Sequence, residues 1–167
     1  MRRLHTGILV LTLTALSCLA VAPPEAAGQE FPLAAFAQAV GGTWVSSESE
    51  HSFEWGVGGR SLISNSYFVH EDGTRQLVSQ AFWYWDPEAS SIRGIAVAEG
   101  MPFDMVEMRA SFDGSMLTNE LRTIAADGSV EERTETWDFS VDGTYTWTLY
   151  GGDVGSDVWM TDTYHRR

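Results

Sequence analysis

The chain has 167 residues, a formal net charge of −13 and a single cysteine, Cys18, and it contains no lysine, so its basic side chains other than histidine are all arginines. That composition excludes an intrachain disulfide and any chemistry that needs a lysine ε-amine, such as a Schiff base or a phosphate-loop lysine. An excess of carboxylates repels nucleic-acid phosphates and anionic membrane surfaces, so neither is an expected partner.

Arg2 and Arg3 precede an apolar run from Ile8 to Ala22 that is too short to cross a bilayer comfortably, and Pro23-Pro24 ends it. These features predict a secretory signal peptide over 1–28, cleaved near Ala27 or Gly28, and a secreted or periplasmic protein with no membrane insertion once it is removed. Lipidation at Cys18 is the alternative; Ala15-Leu16-Ser17-Cys18 lacks the upstream leucine of a good lipobox. Next comes the only helix candidate. Leu33, Phe36, Ala37 and Val40 fall at helical spacing, Pro32 suits a first turn and Gly41-Gly42 stops it, so a short helix is expected within 29–42.

From Thr43 onward the pattern changes to β-rich runs punctuated by Asp-Gly at 72–73, 113–114, 127–128 and 142–143. Both residues of Asp-Gly tolerate positive φ, which tight hairpins need. The spacing predicts roughly eight to ten antiparallel strands joined by short turns, and such a meander removes its exposed edges by closing into a barrel. The expected fold class is therefore all-β, an antiparallel up-and-down barrel over 43–167 with the short helix capping it.

Treating each Asp-Gly as a two-residue loop assigns the faces of the second half. Phe112 then pairs with Ser115, Ala126 with Ser129 and Val141 with Thr144. One face carries Glu107, Arg109, Glu120, Arg122, Glu131, Arg133 and Glu135, a charged outer ladder with opposite signs on diagonal neighbours. The other carries Val106, Met108, Ala110, Phe112, Leu117, Leu121, Tyr145, Trp147 and Leu149, with Asn119, Thr134 and Thr136, and reads as an interior. A three-residue loop with a bulge would shift a register by one and exchange some of these faces.

Gly42-Thr43-Trp44 is the G-x-W with which lipocalin and calycin barrels begin. Together with Phe53–Leu62 (FEWGVGGRSL), Tyr84-Trp85-Asp86-Pro87 and a closing strand that ends in basic residues, the chain resembles a bacterial lipocalin-like family of unknown function over most of 40–167. The resemblance implies a barrel whose Trp44 closes one end beneath an arginine of the last strand, Arg166 or Arg167. It implies no reaction.

A barrel of this size is either filled by side chains or holds one small ligand. Trp83, Met108, Phe112, Leu121, Tyr145 and Trp147 are the expected lining, with Asn119 and Tyr67 orienting a polar group. The glycine-rich stretch at 55–61 lacks the Gly-Lys-Ser/Thr end of a phosphate loop and reads as a tight turn that leaves Arg60 near the barrel mouth. No G-x-S-x-G elbow or HExxH motif occurs, and His51 and Glu54 fall on opposite faces of a strand, so no catalytic residue and no metal site is assigned. His70 belongs to a turn. His165, near the chain end, offers a haem ligand that nothing else supports, and no cofactor is expected. The leading expectation is an exported binding protein for a small hydrophobic molecule. The alternatives are a barrel enzyme acting on a lipid-like substrate and a structural envelope protein with a filled core. The sequence leaves the oligomeric state open.

Overall fold

The structure, a computed structural model, describes residues 31–167. The leader expected over 1–28, Cys18 included, lies outside the described residues. Ten strands follow one another: β1 (Thr43–Val45), β2 (Ser49–Trp55), β3 (Ser61–Val69), β4 (Arg75–Asp86), β5 (Ser91–Ala98), β6 (Met105–Asp113), β7 (Met116–Ile124), β8 (Val130–Asp138), β9 (Thr144–Tyr150) and β10 (Val158–Arg166). Each pairs antiparallel with the next, and β1 pairs with β10 to close an up-and-down barrel. That last seam is short: Trp44 stands opposite Arg166 and Val45 opposite His165, and just past the strand end Thr43 and Arg167 exchange backbone hydrogen bonds at 3.5 and 2.8 Å.

The period-2 pattern explains why these segments are strands. In β6 Val106, Met108 and Ala110 are buried while Glu107, Arg109 and Ser111 are exposed. β4 has aromatics on both faces: Trp83 points inward and is buried, whereas Phe82 and Tyr84 lie outside. Gly94 is demanded by a close approach. A Cβ there would meet Met108 Cε, the Phe82 carbonyl and Trp83 Cδ1, each at 2.9 Å, so β5 passes directly against the Trp83 ring.

The expected short helix is only a 3-10 turn, Ala34–Gln38. The apolar spacing was read correctly as one buried face, but five residues are too few for an α-helix to gain from its own hydrogen bonds. Instead the turn plugs the barrel base. Leu33, Phe36 and Ala39 have no exposed surface, and Phe36 packs on Phe112 and Trp83 with centroids 4.9 and 5.6 Å away. Burying a phenylalanine in this way contributes about 1.5–3 kcal/mol. Trp44 Nε1 donates to the Ala39 carbonyl at 2.8 Å, the Arg166 guanidinium lies 4.4 Å over the Trp44 ring, and an Arg166 N–H is bonded to the Gln38 carbonyl. With the base placed at the 3-10 turn, the β1–β2, β3–β4, β5–β6, β7–β8 and β9–β10 connections form the mouth. The β2–β3 turn belongs to the base, so Arg60 sits at the end opposite the one expected.

Two register corrections decide the interior. Between β6 and β7 the last pair is Asp113 with Met116, which moves the register by two residues and keeps every face. Glu107 therefore stands directly across from Arg122, and Arg109 from Glu120, instead of diagonally. Between β7 and β8 the loop has three residues. Ala125 N–H donates to the Ser129 carbonyl at 3.0 Å, Gly128 N–H to the Ala125 carbonyl at 2.9 Å, and Gly128 adopts φ +81°. This is the bulged hairpin loop, and its offset of one exchanges the faces of β8. Leu121 now opposes Arg133, Asn119 opposes Glu135 and Leu117 opposes Trp137. The expectation that Thr134 and Thr136 point inward and Arg133 and Glu135 outward is thus reversed.

Candidate ligand-binding site

Above the plugged base lies a hollow of about 430 Å³ that reaches the surface at the mouth. Its walls are Trp83, Met108, Leu121, Trp137, Trp147 and Leu149, with the small residues Ala81 and Ala96 leaving room between them. Phe68, Met101, Phe103 and Met160 stand nearer the opening, beside Glu48 and Glu99. Trp83, Met108, Leu121 and Trp147 of the expected lining all meet at this hollow.

The other expected site residues are placed elsewhere. Phe112 is half-buried at the base, edge-on to Phe36. Tyr145 is buried below the hollow in a stack with Tyr164, 4.7 Å between centroids and 11° between planes. Asn119 is fully buried and donates to Glu135. Tyr67 lies on the outer face. It sits opposite Glu50, past an irregularity in the β3–β4 register between Ser66 and Tyr67, and Ser64, Ser66 and Phe68 take the inward positions. The Arg75 guanidinium covers its ring at 4.1 Å, while Glu50 holds Arg75 at 2.9 Å and Arg167 at 2.8 Å. His165 is exposed, opposite Val45 on the outside of the seam.

Three polar side chains of the hollow were missed or misplaced by the sequence reading. Glu135 projects inward from β8 beside the indoles. Its Oε1 accepts from Asn119 Nδ2 at 2.6 Å and its Oε2 from Trp147 Nε1 at 2.7 Å. Burial pushes its carboxyl above the usual range. The hydrogen bonds from Trp147 and Asn119, and the neighbouring Trp137 indole, pull the other way. The Trp137 N–H makes no bond of good geometry, and it and the Trp83 N–H are buried without an acceptor. Asp162 enters from β10, opposite Trp147, and also lines the hollow. His51 of β2 stacks on Tyr164 at 4.3 Å, and burial takes its pKa down to about 4, against a smaller upward pull from Asp162. Burial also drives the Tyr145 hydroxyl well above its usual value, so it stays protonated, and it is hydrogen-bonded to His51 Nδ1. Tyr164 is pushed up to about 12, mainly by burial, and its hydroxyl is hydrogen-bonded to Ser49 Oγ at 2.8 Å.

Only Glu135 could have been found from the sequence, by giving the 127–128 turn its bulged form. Among the described residues no three His, Cys, Asp or Glu side chains cluster as a metal site would need. No family model, no curated protein and no solved structure matches the chain. Fold and site therefore define a class, a closed antiparallel barrel with an aromatic hollow open at one end.

Proposed function

We propose that this protein is an exported binding barrel that holds one small, largely apolar molecule. The observation that carries this reading is the hollow of about 430 Å³, walled by indoles, methionines and aliphatic side chains above a sealed base. A pocket of that size and lining gains affinity from apolar burial, about 25 cal/mol per Å², while a few polar groups orient the ligand. The test is native mass spectrometry on protein purified from its own host, joined to tryptophan-fluorescence titration with decanol. A co-purified mass or saturable quenching is expected, and Ala96→Phe, which fills the hollow, weakens it by about tenfold or more. A native protein that carries no ligand and whose fluorescence ignores decanol would instead be a filled structural barrel.

His51 beside the hollow is the observation that favours an enzyme. Its Nδ1 is already occupied by Tyr145, and a base with a pKa of about 4 accepts protons weakly at neutral pH. Binding remains the better supported reading.

A further inference from the structure

Resting on that binding reading, we infer that the occupant is an organic cation, a lipophilic ammonium whose charged head seats between Glu135 and Asp162 and whose apolar body lies against the indoles. The charge of the lining carries this. Glu48 and Glu99 flank the opening, Glu135 and Asp162 stand deeper, and among the described residues no arginine lines the hollow.

Arg60 and Arg93 do not line the hollow, and six other arginines are engaged elsewhere. Arg75 and Arg167 hold Glu50 on the outer face. Arg109 and Arg122 face Glu120 and Glu107 on the outer ladder. Arg133, although inward on β8, lies 3.7 Å under the Trp159 ring and is paired with Glu131. Arg166 is spent on Trp44 at the base. His51, the remaining basic group in the lining, is neutral at physiological pH. An anionic ligand would thus meet carboxylates with nothing to offset them, in a region where water screens poorly.

The hollow also has the means to hold a cation. Each oxygen of Glu135 accepts one protein N–H and keeps a second lone pair for a ligand donor. Asp162 accepts from Thr163 N–H through Oδ1 at 2.8 Å, and among the described residues no further protein hydrogen bond of good geometry reaches its carboxylate. Trp83, Trp137 and Trp147 bring three indoles to the same walls, the ring type whose face attracts cations most strongly.

The test uses three matched ligands, decylamine, decanol and decanoate, titrated at neutral pH against the full chain by tryptophan fluorescence and calorimetry. Decylammonium should bind about tenfold tighter than decanol and about a hundredfold tighter than decanoate. Asp162→Asn and Glu135→Gln, made separately, should each narrow the gap between decylammonium and decanol. Glu135→Gln disturbs two buried hydrogen bonds, so decanol affinity serves as the check that each variant keeps its hollow. If decylammonium and decanol bind alike, or if the preference survives in both variants, the cation inference is overturned while the binding barrel stands. If none of the three ligands binds the folded protein, the binding reading fails and takes this inference with it.

Discussion

His51 is a group whose burial has a measurable thermodynamic signature. Its folded pKa of about 4 lies below the ordinary 6.5, so the unfolded chain takes up the proton more readily. The neutral buried ring therefore costs nothing above about pH 6.5, and stability is lost as the pH falls from there toward 4. His51→Gln removes this dependence. Relative to wild type, the variant should gain on the order of 2–3 kcal/mol between neutral pH and pH 4, read from urea midpoints. A difference that stays constant over that range would show that the ring does not change its charge preference on folding. Glu135 works with the opposite sign. Its carboxyl is raised, so its contribution is present at low pH and is lost as the pH rises from the ordinary value of 4.5 through the folded one. Glu135→Gln isolates that component. In the sequence, His51 between Glu50 and Glu54 carries no sign of its burial; only closure of the barrel brings Tyr145 and Tyr164 against it.

Among the elements, β5 and the β7–β8 hairpin carry the most consequence. Gly94→Ala places a methyl group against the Phe82 carbonyl as well as two side chains, and backbone cannot step aside as a side-chain end can. A loss of about 1–3 kcal/mol is expected from denaturant unfolding, with no large change in the slope. A neutral effect would mean that β5 shifts freely against β4. The hairpins show how far local sequence reaches. Asp-Gly marks a turn reliably, yet it sits differently in each: Asp113 still pairs with Met116 and leaves Gly114-Ser115 as the two-residue loop, whereas Asp127-Gly128 lie within a bulged three-residue one. The faces of β6 and β7 were legible because their register error was two residues. β8 was read inside out because the Ala125–Ser129 loop added one. The β8–β9 turn added a second offset of one, with Asp138 opposite Thr146, so Tyr145, Trp147 and Leu149 were again assigned correctly to the interior. The aromatic walls could therefore be anticipated, whereas Glu135 among them was legible only by giving the 127–128 turn its bulged form.

For the whole molecule, ten antiparallel strands close with a single weak joint. β7 and β8 share nine residue pairs, whereas β1 and β10 share two. Two arginine contacts brace that joint from either side, Arg166 on Trp44 within and Arg167 on Glu50 without. Local opening should begin there. Native-state hydrogen exchange is expected to report faster exchange at the Val45 amide than in β7, and Arg167→Ala should speed it further while leaving β7 unchanged. Equal protection of β1 and β7 would contradict this.

A detached β1 would bare the backbone of both β10 and β2, two adjacent ribbons of unsatisfied N–H and C=O groups that can recruit a neighbour's strand. The fewest rungs in the molecule therefore mark where two chains would exchange segments, or begin to aggregate, when concentrated near their melting temperature.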